Sequence, residues 1–175
     1  RCYAGPLPSL TTKQIEISRC LREHVQRVAG DIGGRSIREK PNGLTACAGY
    51  IERQLRDSGV PVELQTFMAN GMEVANVVGE VRGSDEIVVV GAHYDTCLGL
   101  PGANDNASGV AATLFLADAL RKQSRRTVRF VFFVNEEPPY FQTEKMGSAV
   151  YARRCRHRGE NIVAMLSLET IGYYS

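Results

Sequence analysis

Apolar residues follow a helical period in the first part of the chain. They recur at intervals near 3.6 residues over 11–29, where Thr11 and Thr12 offer an N-cap, and again over about 45–57. The second segment stops at Gly59, a residue typical of the end of a helix. These patterns predict two amphipathic helices, and we expect both to cover a sheet.

The period changes from residue 60 onwards. Residues 60–67 and 72–81 are rich in β-branched side chains, and the Asn70-Gly71 pair between them is a strong signal for a two-residue hairpin. Residues 87–92 form an uninterrupted apolar run, which is typical of a strand buried on both faces. The sequence therefore predicts an antiparallel pair followed by a central strand.

In the remainder of the chain, segments of helical and strand character alternate. Helices are predicted over 106–123 and 147–156, and buried strands over 127–134 and 162–168. Such alternation favours parallel strands that are covered by helices. We expect an α/β fold with a mixed, mainly parallel central sheet and helices on both faces.

Composition indicates one globular domain over residues 1–175. Hydrophobic residues make up 43% and charged residues 23%, which excludes the disordered and fibrous classes. The net charge is only +2, and the basic cluster at 153–158 is typical of a solvated helix end, so no nucleic-acid partner is expected. The longest apolar run is too short to span a bilayer. Five cysteines without a C-x-x-C spacing indicate neither a zinc knuckle nor a complete disulfide framework.

Polar side chains continue three of the predicted buried strands. His93 and Asp95 follow the first, the Glu136-Glu137 pair follows the second, and Glu169 follows the third. In open α/β sheets ligands bind at the carboxyl ends of the strands, so these residues are expected on one rim. A lone histidine or glutamate there is usually structural, but several together are costly to desolvate without a shared cation. We therefore predict a metal site.

The loop 101–109 opens the next predicted helix and contains Asp105. Its Asp and Asn residues can cap that helix, and this simple role is compatible with a second one. The loop begins only eight residues after His93 and lies on the same rim. Asp105 is therefore expected to reach the metal.

Zinc accepts nitrogen and carboxylate oxygen ligands, and a carboxylate can bridge two ions. Asp105 is the natural bridging candidate, with His93 and Glu169 on one ion and Glu137 on the other. Asp95 is placed to orient the histidine. The adjacent Glu136 and Glu137 are expected to have different roles. One binds metal, and the other can take a proton from water and pass it to the leaving amine.

The order of these motifs resembles peptidase family M28. The shared pattern is His-x-Asp, then Pro-Gly-Ala-x-Asp-Asn-Ala-Ser-Gly, then Glu-Glu, then Gly-Ser, and it covers roughly residues 75–175. The N-terminal helices, about 11–58, are only compatible with it. The resemblance implies the fold of zinc-dependent exopeptidases and a zinc metallopeptidase activity, most simply that of an aminopeptidase with two zinc ions.

The resemblance also implies a role for each site residue. The implied zinc ligands are His93, Asp105 as the bridge, Glu137 and Glu169. Glu136 is the implied general base, and Asp95 is the acid that supports a ligand. The family supplies a further histidine ligand far along the chain, and we expect it beyond Ser175, so that this chain is the N-terminal portion of a longer enzyme.

Two departures from the family pattern leave alternatives open. Many family aminopeptidases have Asp where this chain has Glu169, so a carboxypeptidase, a deacylase acting on N-acyl amino acids and a glutaminyl-cyclase-like enzyme remain alternatives to an aminopeptidase acting on peptides. The segment 138–146 is longer than usual, and Tyr140 and Phe141 either line the substrate pocket or belong to a surface loop with one tucked aromatic. A catalytically inactive interaction domain is the alternative from a different class.

The compartment and the oligomeric state are not indicated by the residues themselves. Members of the family are frequently exported, which slightly favours a periplasmic, secreted or membrane-anchored protein over a cytoplasmic one. The odd number of cysteines does not support this independently.

Overall fold

A five-stranded sheet forms the centre of the molecule. A computed structural model describes Gly5 and residues 8–122 and 124–172, so Cys2 lies outside the described residues. The strands are β1 (Val62–Ala69), β2 (Met72–Val81), β3 (Ser84–His93), β4 (Arg126–Phe133) and β5 (Ile162–Ser167). The helices are α1 (Thr12–Val25), α2 (Pro41–Asp57), α3 (Gly109–Leu120) and α4 (Gly147–His157).

The sheet is mixed, with strand order β1-β2-β4-β3-β5. β2 pairs antiparallel with both β1 and β4, whereas β3 pairs parallel with both β4 and β5. Parallel contacts therefore make up two of the four pairings and lie together on one side of the sheet. The predicted α/β class with a mixed sheet is confirmed.

The hairpin between β1 and β2 turns at the predicted dipeptide. Asn70 has φ 51° and Gly71 has φ 74°, and two successive positive φ angles characterise the turn that joins tightly twisted strands. Asparagine and glycine adopt this conformation more readily than other residues. The register Ala69 to Met72 follows directly from the turn.

The N-terminal helix begins as predicted and extends further. The Thr11 hydroxyl accepts a hydrogen bond from the Gln14 backbone N–H, and the Gln14 side chain accepts one from the Thr11 backbone N–H. The helix continues as a π-helical turn over Gln26–Ile32, past the predicted end. α1 has no buried residue and packs mainly on α3, so the expectation that it covers the sheet is wrong.

The second helix does cover the sheet. It begins at Pro41, earlier than the predicted start near residue 45, because proline is well suited to the first helical turn. Leu44, Ile51 and Leu55 are buried and face the sheet from the same side as α3. Gly59, with φ 77°, follows the helix end as predicted.

A helix also covers the opposite face of the sheet. Tyr151 and Cys155 of α4 pack against Val78, Val89 and Val131 of three neighbouring strands. Helices on both faces were predicted, and α4 is the one that covers this side. The predicted helix 106–123 is shorter in the structure, because the π-helical turn Ala103–Ser108 precedes α3 and α3 ends at Leu120. Residue 123 lies outside the described residues.

β5 is a strand as predicted, but the prediction that it is buried is wrong. All six of its residues are exposed. About half of the surface of Val163, Met165 and Leu166 is open to solvent. Within the described residues β5 pairs only with β3, and α4 packs over the neighbouring strands instead. Among the described helices, none is long and apolar enough to cross a membrane.

We predict that Glu160→Gln lowers the free energy of unfolding at pH 7 by about 1–3 kcal/mol. Glu160 pairs with Arg129 at 2.6 Å, and both side chains are only 12% exposed. Burial raises the pKa of Glu160, but the bonds from Arg129 and Cys155 lower it below its usual value. The stabilisation is therefore present at neutral pH and is lost as pH falls through the lowered pKa. Urea unfolding at pH 7 and at about pH 3 measures both effects.

Glu86→Gln is the matched control for this prediction. Glu86 pairs with Arg126 at the same distance, 2.6 Å, but the two side chains are 42% and 52% exposed. An exposed pair contributes about 0–1 kcal/mol. Equal losses of stability in the two variants would contradict the prediction that burial makes the Glu160 pair important.

Candidate metal centre

Three neighbouring strands deliver the candidate ligands to one rim of the sheet. His93 is the last residue of β3, Glu136 and Glu137 follow β4, and Glu169 follows β5. These strands are parallel neighbours, so their carboxyl ends lie side by side. The loop with Asp105 comes back to the same rim and places its carboxylate against His93.

His93 lies at the centre of the cluster. Its side chain is 2% exposed, and its Nε2 lies 3.0 Å from Asp105 Oδ1, 3.3 Å from Glu169 Oε1 and 3.8 Å from Glu136 Oε2. Two groups of possible ligand atoms each fit within 4.8 Å: His93 with Asp105 and Glu169, and His93 with Glu136 and Glu137. The structure thus brings all the sequence-predicted ligands together around one imidazole.

Asp95 connects the histidine to the pair of glutamates. Its buried carboxylate accepts hydrogen bonds from the backbone N–H groups of Glu136 at 3.0 Å and Glu137 at 2.9 Å. Asp95 Oδ1 also lies 3.4 Å from His93 Nδ1, a buried nitrogen without a hydrogen-bond partner among the described residues. The sequence suggested the contact with His93. The hydrogen bonds from the backbone N–H groups of Glu136 and Glu137 to Asp95 could not be predicted from the sequence.

Asn106 links the Asp105 loop to Glu169. Its side-chain amide donates to the Leu168 carbonyl at 2.8 Å and to Glu169 Oε2 at 3.2 Å. Its Oδ1 accepts from the backbone N–H of Gly109, the first residue of α3, at 3.0 Å. Asn106 therefore has the predicted capping role, and the adjacent Asp105 approaches His93.

Asn76 holds both ends of the segment that carries the two glutamates. This fully buried residue of β2 accepts from the Val134 backbone N–H at 3.1 Å and donates to the Gly147 carbonyl at 2.8 Å. Val134 and Gly147 also bond to each other through their backbones. Sequence reasoning missed Asn76. A polar residue within a strand that is otherwise buried was the one available signal.

Negative charge dominates the electrostatics of the cluster. Burial lowers the pKa of His93, but the carboxylates of Asp95 and Glu169 raise it to about 11. Burial raises the pKa of both Glu136 and Glu137, and neighbouring carboxylates raise it further. Carboxylates that crowd one another in this way favour a bound cation.

A small cavity adjoins the cluster on the side of β5. Its volume is about 180 Å³, and its apolar wall consists of Phe133, Phe141, Met146 and Met165. Phe141 from the segment 138–146 therefore does line the space beside His93, whereas Tyr140 packs against the main core. A role of this segment in a substrate pocket stays a prediction.

A family model described as peptidase family M28 matches residues 76–175, which is more than half of the chain. The chain belongs to peptidase family M28. The matched region contains every residue of the cluster, and the resemblance seen in the sequence is confirmed.

Two relatives show how much of a typical protein this M28 chain represents. The uncharacterised protein YfbL of Escherichia coli K12 is 37% identical over 143 residues, covering 76% of this chain and 43% of YfbL. Leupeptin-inactivating enzyme 1 of Streptomyces exfoliatus is 30% identical over 115 residues, covering 63% of this chain and 26% of that enzyme. The M28 chain therefore spans less than half the length of these relatives.

Solved structures confirm the fold. A leucine aminopeptidase precursor from Bacteroides thetaiotaomicron superposes with a TM-score of 0.73 at 22% identity, covering 88% of this chain and 62% of its own. The glutaminyl cyclase of Porphyromonas gingivalis gives 0.76 at 24% identity, covering 88% and 61%. The two names describe different activities, so this likeness establishes the zinc-dependent exopeptidase fold and not the reaction.

We predict that Gly102→Ala destabilises the protein by about 1–3 kcal/mol more than an ordinary substitution of a glycine with positive φ. Gly102 has φ 54° and begins the loop that carries Asp105. A Cβ there would overlap the Asp105 carbonyl oxygen and Cγ2 of Thr96. The loop would have to move, and urea unfolding measures the cost.

Gly159→Ala is the control for the backbone contribution. Gly159 has φ 64°, and a Cβ at this position meets no atom within 4 Å. Its substitution carries only the cost of the left-handed conformation, about 1–2 kcal/mol. If the two variants unfold at the same urea concentration, close packing of the Asp105 loop against Gly102 is not important for stability.

Proposed function

We propose that this chain carries most of the metal site of a zinc-dependent exopeptidase, which acts as an aminopeptidase and uses two zinc ions. The observation that carries the proposal is the convergence of the buried His93 with Asp105, Glu169 and Glu136, all within 3.8 Å of one imidazole nitrogen. Membership of family M28 supports the peptidase class. The activity proposed is that of the full-length protein.

The chemistry of the donor set fits zinc. One imidazole and several carboxylates are ligands that zinc accepts, whereas a site for calcium would consist of oxygen ligands alone. His93, Asp105 and Glu169 form one group of possible ligand atoms and would hold one ion. Glu137, which lies in a second group with His93 and Glu136, would be a ligand of the other ion, and Asp105 would be shared between the two. Bound zinc supplies a Lewis acid that polarises the scissile carbonyl and makes water acidic enough to lose a proton near neutral pH.

Glu136 acts as the general base. Its carboxylate is partly buried beside the cluster, and the bond from its backbone N–H to Asp95 fixes its position. Burial and neighbouring carboxylates raise its pKa, which brings its proton affinity closer to the range that proton transfer at neutral pH needs. Glu136 takes a proton from the attacking water and delivers it to the amine that leaves when the peptide bond breaks.

We predict that Glu136→Gln keeps zinc but lowers kcat by about 10²- to 10⁴-fold, because glutamine cannot accept the proton. The measurement is hydrolysis of amino-acid amides and short peptides by the full-length protein, together with zinc content per chain. Glu16→Gln, an exposed position on α1, is the control and should retain activity.

A second comparison tests the ligand assignment itself. The double variant His93→Ala, Asp105→Ala should lose its zinc, because both residues belong to the same group of ligand atoms. Substantial turnover in Glu136→Gln would overturn the role of the base. Full zinc content in the double variant would overturn the proposed ligands.

An enzyme with one zinc ion is the second candidate, either a glutaminyl-cyclase-like enzyme or a deacylase. The observation that favours it is that His93, Asp105 and Glu169 form a complete group of three ligands without Glu137. Glu169 also stands where many family aminopeptidases have Asp, as noted from the sequence. In that case Glu137 would orient the substrate or a ligand and would not bind an ion.

Metal counting and substrate comparison separate the two candidates. The aminopeptidase proposal predicts two zinc ions per full-length chain and release of the first residue from unblocked peptides. One ion per chain, with cyclisation of N-terminal glutaminyl peptides or hydrolysis of N-acyl amino acids and no release of the first residue from unblocked peptides, would favour the second candidate. Zinc is measured by elemental analysis after dialysis, and products by mass spectrometry.

A further inference from the structure

Arg35 is a fully buried cation that sequence reasoning did not select. It lies between the π-helical turn after α1 and the start of α2, and none of its surface is exposed. Its guanidinium group makes five hydrogen bonds, and every acceptor is a backbone carbonyl. The acceptors are Val28 at 3.1 Å, Gly33 at 2.6 Å, Tyr94 at 2.7 Å, Pro101 at 2.6 Å and Gly102 at 3.2 Å.

These bonds join the two chain segments that supply the histidine and the bridging carboxylate. Tyr94 lies between His93 and Asp95, and Pro101 and Gly102 begin the loop that leads to Asp105. The planar guanidinium group thus fixes the distance between the segment at Tyr94 and the loop at Pro101 and Gly102. An arginine fork can do this because its five N–H donors are rigid, whereas a lysine has three donors on a single flexible nitrogen.

The backbone of Arg35 strengthens the same connection. Its N–H donates to the Thr96 hydroxyl at 2.9 Å, and its carbonyl accepts from the Thr96 N–H at 2.8 Å. The preceding residue, Gly34, is packed so closely that a Cβ would overlap the Gly99 carbonyl oxygen. Residues 34–35 are therefore locked against the segment 96–102 by hydrogen bonds and by contact.

The charge of Arg35 is not paired locally. Among the described residues no carboxylate forms an ion pair with its guanidinium, although a buried charge normally requires one. Burial lowers the pKa of Arg35, and the negative charges of Asp95 and Asp105 act in the opposite direction. The contacts that stabilise the buried guanidinium are therefore the dipoles of the five backbone carbonyls.

We propose that Arg35 is a positioning residue of the metal site, which holds His93, Asp95 and Asp105 in place through the backbone carbonyls that it binds. The inference rests on the proposed ligands, since it concerns their support. Arg35 touches neither substrate nor metal. Its effect should therefore appear first in metal affinity, because groups that support ligands typically change affinity by about 10- to 100-fold.

The test compares three variants of the full-length protein. Arg35→Met removes both the donors and the charge, Arg35→Lys keeps the charge but not the fork, and Thr96→Val removes the hydroxyl that accepts the Arg35 N–H. Zinc affinity is measured by competition with a chromophoric chelator. Cobalt substitution gives a second readout, because the visible spectrum of Co²⁺ reports ligand geometry.

The expected order of zinc affinity is unaltered protein, then Thr96→Val, then Arg35→Lys, then Arg35→Met. Arg35→Met should bind zinc about 10- to 100-fold more weakly than the unaltered protein, and Arg35→Lys should show a changed cobalt spectrum. If Arg35→Met does not fold, the other two variants decide. Unchanged zinc affinity and an unchanged cobalt spectrum in both of them would overturn the proposal.

Ile51→Ala separates positioning from general stability. Ile51 is fully buried in α2 and makes no hydrogen bond to the site segments through its side chain, so its truncation destabilises the core without touching them. It should lower urea resistance and leave zinc affinity unchanged in the folded protein. An equal loss of zinc affinity in Ile51→Ala and Arg35→Lys would mean that Arg35 is merely structural.

The outcome for Arg35 is distinguishable from failure of the proposed function. If His93→Ala, Asp105→Ala loses zinc while the Arg35 and Thr96 variants keep it, the ligands stand and only the role of Arg35 falls. If the unaltered full-length protein binds no zinc, both proposals fall together.

Discussion

Five carboxylates surround one buried histidine in this structure, and they repel one another. Without a cation this arrangement is unfavourable, because like charges at short distance raise each other's proton affinity and burial adds to the effect. The backbone around the rim must therefore hold each acid against that repulsion. Much of the polar structure at this end of the sheet can be understood as the means by which it does so.

The supports act on the backbone more than on the carboxylates themselves. Asp95 accepts hydrogen bonds from the backbone N–H groups of Glu136 and Glu137, and Asn76 bonds to the backbone at both ends of the segment that carries them. Arg35 donates to backbone carbonyls of the segment that follows His93 and of the loop that leads to Asp105. Asn106 is the exception, since it also bonds to Glu169 directly. A site built this way can keep its ligands free to bind metal while their positions remain fixed.

The residues of the cluster could be predicted because strand ends and short motifs are local in sequence. His93 and Asp95 directly continue an apolar run, and a parallel sheet brings such ends together. Arg35 and Asn76 could not be predicted in the same way, because the site segments that they bind, at Tyr94 and Val134, are more than fifty residues away in sequence. The error about β5 has a similar origin: an apolar run indicates a strand, but its burial depends on which helices lie above it.

The likeness to both an aminopeptidase and a glutaminyl cyclase explains why the reaction is harder to infer than the family. The fold is common to proteins of either name, so it carries no information about the choice. What differs must lie in ligand count and in the walls of the substrate space. In this chain Phe141 and Met146, from the segment after the glutamates, help to form the walls of the cavity beside His93.

β5 has a consequence for the behaviour of this chain in solution. It is the last strand of the sheet, its outer row of backbone N–H and C=O groups has no strand partner among the described residues, and Val163, Met165 and Leu166 flank that row. Such a strand is a template for intermolecular β-pairing and hence for aggregation. Glu169 follows this same strand, so a second molecule that paired there would crowd the cavity beside the candidate metal site. In a molecule limited to residues 1–175, self-association and loss of access to the cluster would therefore be one event.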